Sequence, residues 1–199
     1  MKKILHIISS PKGENSYSVK LGNAIIDKVK LANPGSIVSV KDLTVNPFPH
    51  LEEATLNAFY TPAENHTLEN KKAIKNSDLA IAELKEADII VIGAPLWNFG
   101  IPSVLKAWID HIARANVTFK YSEAGPEGLI KGKTVYVAMA SGAIYSSGPF
   151  QAFDFVSTYL KGLLGFLGMT DLTVFRVEGS AYPGQAEAAL KTGIASIEL

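Results

Sequence analysis

Asp88-Ile89-Ile90-Val91-Ile92-Gly93-Ala94-Pro95-Leu96-Trp97-Asn98-Phe99-Gly100-Ile101-Pro102 is the stretch that decides the fold. Its first part is an unbroken apolar run of strand length, rich in β-branched residues. A strand with one wet face would alternate, so this one is read as buried on both faces. Its second part brings out Trp97 and Phe99, rings that are normally kept from water unless they contact something. The loop is therefore expected to hold one side of a planar cofactor.

Working outward, the neighbouring segments alternate between strand and helix patterns. Ile4 to Ile8 reads as a first strand that stops at Ser9-Ser10-Pro11-Lys12-Gly13. From Ser16, with Ser16 or Ser18 as N-cap, Val19, Gly22, Ile26 and Val29 recur at helical spacing until Asn33-Pro34-Gly35. Ser36 to Leu43 alternates like an edge strand, and Thr44 to Thr67, with three prolines, reads as an excursion with about one helical turn near Glu52 to Phe59. Leu68 to Glu86 is helical, with Leu79-Ala80-Ile81-Ala82 as its buried side, and leads into the strand Ala87 to Gly93. Pro102 then opens a helix with an apolar stripe at Val104, Leu105, Trp108, Ile109 and Ile112. Asn116 to Tyr121 reads as a short strand or extended arm and Gly125 to Gly128 as loop. Thr134 to Met139 is a strand, Phe150 to Leu167 a helix, Leu172 to Val177 a strand and Gln185 to Ile197 a closing helix. Five strands alternating with helices specify an α/β fold, a parallel sheet covered on both faces, in one domain over residues 1–199.

The composition narrows the function classes. Apolar residues make up 47% of the 199, charged residues 19%, and the formal net charge is zero, so the basic excess of a nucleic-acid binder is missing. The absence of cysteine removes thiolate nucleophiles and Cys-ligated metals and fits a reducing cytoplasm. The N-terminal apolar run is too short, and interrupted by His6, for a signal peptide, and no run reaches membrane-span length. The histidines, His6, His50, His66 and His111, share no ligand spacing and are read as structural or solvated, so no metal site is expected.

In an open parallel sheet ligands sit beyond the carboxyl ends of the strands, where three loops of this chain have a suggestive makeup. Ser9 to Ser18 offers hydroxyls and the N-terminus of a helix, donors that suit a phosphate monoester; the plainer reading is that these serines only cap the helix. Gly132-Lys133-Thr134 imitates the tail of a triphosphate loop, but Glu127 replaces the required earlier glycine and a strand follows. Neither G-x-G-x-x-G after the first strand nor a G-x-S-x-G elbow is present. A phosphate site together with the aromatic loop Ala94 to Phe99 and the loop Ser141 to Ser147 points to a mononucleotide with a flat ring, and FMN fits. The plain alternative for Trp97 and Phe99 is that they plug the sheet end or a subunit contact.

Several spaced motifs resemble one family over nearly the whole chain: Ser9-Ser10 with Ser16-x-Ser18, Ala94-Pro95-Leu96-Trp97-Asn98-Phe99, Val117-Thr118-Phe119-Lys120-Tyr121, Gly125-Pro126-Glu127-Gly128-Leu129, Gly132-Lys133 and Leu164-Gly165-Phe166-Leu167-Gly168. The sequence resembles the FMN-dependent NADH azoreductases, or NADH:quinone oxidoreductases, of the bacterial cytoplasm. The resemblance implies a flavodoxin-like three-layer sandwich with a five-stranded parallel sheet. It also implies one tightly but non-covalently held FMN per subunit, and a homodimer with active sites at the subunit interface. Carried over by position, Ser10, Ser16, Tyr17 and Ser18 hold the phosphate and ribityl chain, Pro95, Leu96, Trp97, Asn98 and Phe99 line the ring, and Ser141, Gly142, Ala143 and Ile144 meet its pyrimidine side. Tyr121 resembles a residue that reaches the flavin of the other subunit, and Trp97, Phe99, Tyr121 and Tyr145, with Phe59 and Tyr60 from the excursion, are the expected substrate walls. Relatives often carry Met-Tyr-Asn-Phe at Leu96 to Phe99, and Ser-Arg-Gly-Gly followed by Ile-His where this chain has Ser141 to Tyr145. The missing arginine and histidine alter charge and hydrogen bonding beside the flavin.

The expected chemistry is two-electron hydride transfer from NADH through bound FMN to a quinone or azo compound, in ping-pong order, with no side chain acting as acid or nucleophile. The competing readings are a flavodoxin-type electron carrier, disfavoured by the absence of a strongly charged composition, and a cofactor-free binding module on the same fold.

Overall fold

The computed structural model describes residues 1–199. Five strands, β1 (Lys3–Ile8), β2 (Ile37–Asp42), β3 (Ile89–Pro95), β6 (Thr134–Ala140) and β7 (Asp171–Val177), form one parallel sheet in the order β2-β1-β3-β6-β7. The apolar run Ile89–Pro95 is the central strand, and all seven of its residues are buried. Its side chains alternate between two cores. Ile90 and Ile92 join Leu5, Ile7, Val135 and Val137 beneath α3 (Leu68–Glu86), α4 (Ser103–Ile112) and α5 (Phe155–Phe166). Ile89 and Val91 join Ile4 and Ala138 beneath α1 (Tyr17–Ala32) and the segment around α6 (Ala186–Ala195). Both faces being covered is why no polar alternation survives in β3.

Strand order reverses between β1 and β3, so the loops after these strands splay apart at that point and open a crevice. The excursion holds more helix than expected, α2 (Glu53–Tyr60) followed by a 3-10 turn at Ala63–Asn65. α3 starts where the pattern places it, because Thr67 and Asn70 exchange side-chain bonds with each other's backbone N–H. Along α3, Ala80 and Ile81 are buried but Leu79 is 53% exposed, so the apolar run overstates the packed stripe. The helix expected from Phe150 starts later: a 3-10 run at Gly148–Phe153 comes first, and the Asp154 carboxylate caps α5 at Ser157 N. No helix is long and apolar enough to cross a membrane.

Gly125 to Gly128, expected as loop, is a strand. β4 (Phe119–Ser122) and β5 (Gly125–Gly128) form an antiparallel hairpin away from the main sheet. It has no apolar alternation to read because backbone contact, not side-chain burial, docks it. Gly128 lies flat on Gly168, where an added Cβ would fall inside the contact shells of Gly168 N and the Leu167 carbonyl carbon. Gly128→Ala should therefore cost about 2 kcal/mol, in the range of overpacking changes. Denaturant unfolding measures it, with hydrogen exchange in residues 119–128 rising well above that of β3; an unchanged midpoint would contradict the docking.

Candidate functional site

At the phosphate end, α1 begins at Ser16, whose extended backbone places it as N-cap but whose side chain caps nothing. Its Oγ lies 3.0 Å from Ser18 Oγ, so the first-turn N–H groups of α1 have no side-chain cap and, with the helix dipole, suit an anion. Ser10, Ser16 and Ser18 are almost wholly buried around this point. Ser9 serves a different purpose: its hydroxyl donates to Gly93 O at 2.6 Å and ties the first loop to the end of β3.

At the ring end, Leu96 N donates to Ala140 O, joining the loop after β3 to the end of β6. Trp97 and Gly100 then exchange both backbone bonds around Asn98 and Phe99, which have φ of 48° and 65°. Two consecutive left-handed residues inside such a bridge make a type I′ turn. Asparagine tolerates that conformation, whereas phenylalanine gives up about 1–2 kcal/mol to hold it. In return the Phe99 ring reaches Tyr145, at 6.4 Å between centroids, and Phe153, at 5.3 Å.

The loop after β6 is oriented by its carbonyls. Those of Ser141, Gly142 and Ala143 accept from Ser180 N, Ala181 N and Gly179 N, and Ser141 O takes the Ser180 hydroxyl as well. Glu178 accepts Tyr145 N and Ser146 N at 2.8 and 2.9 Å. The N–H groups of Gly142, Ala143 and Ile144 are left without an internal acceptor. Between these loops lies a cleft of about 430 Å³ lined by Ser10, Lys12, Ser16, Tyr17, Pro95, Leu96, Trp97, Ser141, Gly142, Ser180 and Ala181. Uncapped helix amides at one end, and aromatic surface with free amides at the other, suit a phosphate monoester that carries a flat ring with carbonyl acceptors, as FMN does.

A larger groove of about 950 Å³ shares Trp97 with this cleft and runs past Asn98, Ile101 and Val104 to Phe155 and Tyr159. The structure thus brings Ser10, Ser16, Tyr17, Pro95, Leu96, Trp97, Ser141 and Gly142 to one cleft, with Asn98 on the adjoining groove. Phe99, half exposed, and Tyr145, nearly buried, meet in an aromatic cluster beside it, while Ile144 lines a separate cleft toward α6. Phe59 packs on Arg114 and His111 instead, Tyr60 points outward, and Tyr121 stands 72% exposed against Phe119, so these three line neither space within their own chain. Sequence reading missed Ser180 and Ala181. They follow a strand in a Gly/Ser-rich loop, the same signal that exposed the other three loops. It also missed Phe150, Phe153 and Phe155, which an assumed continuous helix concealed.

Comparison with known proteins places this architecture. Residues 2–198 match the family described as flavodoxin-like fold. An "FMN-dependent NADH:quinone oxidoreductase" from Herminiimonas arsenicoxydans is 51% identical over 91% of this chain and 89% of its own. The chain belongs to the FMN-dependent NADH:quinone oxidoreductase family. A second member, from Rhizobium etli, is 46% identical over the whole of this chain and 97% of its own. Among solved structures, an azoreductase from Bacillus anthracis superposes with a TM-score of 0.89 at 33% identity, covering 98% of this chain and 96% of that one. An FMN-dependent NADH-azoreductase of the same species, solved in complex with FMN, gives 0.86 at 30% identity over 98% and 97% of the two chains. The five-stranded parallel sheet and helical layers expected from the sequence are those of this family.

Proposed function

We propose that this protein is an FMN-dependent NADH:quinone oxidoreductase that also reduces azo compounds, working in ping-pong order as a cytoplasmic homodimer. The observation that carries the reading is the cleft at the β1/β3 reversal, with uncapped α1 amides at one end and the free amide of Gly142 at the other.

Bound FMN would supply hydride acceptance from NADH and two-electron delivery to the acceptor. Ser10, Ser16, Ser18 and the first turn of α1 hold the phosphate; Tyr17 flanks the ribityl chain. Pro95, Leu96 and Trp97 would line the ring, with Phe99 in the aromatic cluster beside it. The amides of Gly142, Ala143 and Ile144 are fixed dipoles that favour negative charge at the pyrimidine edge without reorganising. Neither carboxylate nor imidazole lines the cleft, and solvent can supply the protons. NADH as the donor follows the names of the relatives. Tyr121 is 72% exposed and lines neither the cleft nor the groove of its own chain, which supports a role at a partner's site.

The test is a visible spectrum after FMN addition, followed by anaerobic bleaching with NADH and NADPH in parallel and reoxidation by quinones and azo compounds. NADH bleaching, reoxidation by both acceptor classes and parallel lines in two-substrate kinetics are expected. A protein that takes up no flavin would sink the reading, and converging lines would replace ping-pong order by a ternary complex.

Trp97 offers a larger stacking face than tyrosine and is 42% exposed beside the groove. Trp97→Tyr should lower kcat/KM for a three-ring quinone about fivefold, close to 1 kcal/mol of lost stacking, and alter benzoquinone far less. Equal or better turnover across small and large quinones would count against a bias toward extended acceptors.

A further inference from the structure

Arg176 stands near the end of β7, two residues before Glu178, so both side chains leave the same face of the sheet. Its guanidinium reaches two carboxylates on different elements. One terminal nitrogen donates to Asp154 Oδ2 at 2.6 Å and to Ser157 Oγ at 3.0 Å, at the cap of α5. The other lies 3.6 Å from Glu178 Oε1 and 3.2 Å from Met139 Sδ. Glu178 Oε1 is the same oxygen that receives Tyr145 N and Ser146 N. Burial alone would raise the Asp154 carboxyl, but the bonds from Ser157 and Arg176 outweigh it and hold the group below its ordinary range.

These contacts enclose one segment. Glu178 fixes its start at Tyr145 and Ser146, Asp154 fixes its end, and between them runs the strap that contains the 3-10 turns Gly148–Phe153. Between its two feet the strap makes no hydrogen bond to the rest of the chain, and its rings pack on neighbouring rings. Phe150 packs on Tyr145 at 6.1 Å and Phe153 on Phe99 at 5.3 Å, and both strap rings remain more than 40% exposed. Gly148, at φ +75°, has no atom within 4 Å of an added Cβ, so no packing restrains the bend at the strap's start. Partly exposed aromatic contacts of this kind hold a segment weakly, whereas a charge hydrogen-bonded at one foot and ion-paired with the Glu178 carboxylate at the other holds it more firmly.

We propose that Arg176 is a positioning residue: it clamps both feet of the strap and thereby holds Phe150 and Phe153 as the wall that large aromatic acceptors stack against. The acceptor half of this proposal rests on the oxidoreductase reading; the clamp itself does not.

Arg176→Met and Asp154→Asn each open the clamp, the second without leaving a buried carboxylate unpaired, and Arg176→Lys keeps the charge. Hydrogen exchange on the FMN-free protein should show residues 146–154 opening about tenfold more often in the first two variants, with β3 and β1 unchanged. Lysine should restore part of the protection. In the FMN-loaded enzyme, KM for a three-ring quinone should rise about fivefold more than KM for benzoquinone. Unaltered exchange in the strap would overturn the clamp, as would a rise spread equally through the core strands, which would make Arg176 an ordinary stabilising residue. Equal KM changes for both acceptors would remove the wall. If the parent protein turns over neither quinone, the oxidoreductase reading fails while the exchange result still decides the clamp.

Discussion

Ser16→Asp is expected to lower FMN affinity by about three orders of magnitude while leaving the FMN-free protein at least as stable as the parent. The opposite signs come from one position. Ser16 is the N-cap of α1 but caps nothing with its side chain. Aspartate is among the preferred caps, and its charge is favoured at a helix N-terminus, each effect contributing about 0.5–1 kcal/mol. The proposed phosphate occupies that same place. A carboxylate about 4 Å from it, near the protein surface, costs about 4 kcal/mol of repulsion, close to a thousandfold in affinity. Ser16→Ala loses only one neutral donor and should cost about tenfold. Flavin fluorescence titration measures the affinity and thermal unfolding of the FMN-free protein measures the stability. Aspartate binding FMN within tenfold of the parent would move the phosphate elsewhere and leave Ser16 as a plain cap.

What could be read in the chain, and what could not, divides along physical lines. β3 announced itself because burial on both faces leaves a continuous apolar run, and α3 because its apolar residues recur at helical spacing; the Thr67/Asn70 cap that fixes its start came only from the structure. The three loops after β1, β3 and β6 were visible from residue types whose donors need no partner within the chain. The hairpin β4/β5 was hidden because its docking depends on the close approach of Gly128 to Gly168, and absent side chains carry no periodicity. The strap from Ser146 to Asp154 was hidden for the converse reason: Phe150, Phe153 and Phe155 look like a helical core stripe until their exposure is known. The orientation of the Ser141 to Ile144 amides depends on carbonyl bonds to Gly179, Ser180 and Ala181 across the sheet end, a pairing that no local pattern encodes.

His6, which the sequence left as one of four unremarkable histidines, carries the largest expected pH effect. Its side chain leaves β1 on the face of Ile4 and meets α1 at Gly22, where an added Cβ would lie 2.8 Å from His6 Nε2. The residue is 1% exposed and Nε2 has no hydrogen-bond partner. Burial disfavours the imidazolium, against a smaller opposing pull from Asp42, and lowers the pKa from 6.5 to about 4. In the unfolded chain the ring takes up its proton as pH falls through 6.5, while the folded chain stays neutral until about 4. The unfolded state therefore binds more protons across that window, and stability rises with pH within it. Above it the contribution is complete; at and below pH 4 about 3 kcal/mol has been lost. Urea unfolding of the parent and of His6→Leu at pH 4.5, 5.5 and 7.5 isolates the effect of the imidazole, since leucine has no proton to bind and keeps the face apolar. The stability difference between the two proteins should shift in favour of leucine by somewhat over 1 kcal/mol per pH unit on going down from 6.5. Parallel pH profiles for the two proteins would mean that the ring takes up its proton in the fold at the same pH as in the unfolded chain, and burial beside Gly22 would then not disfavour the imidazolium.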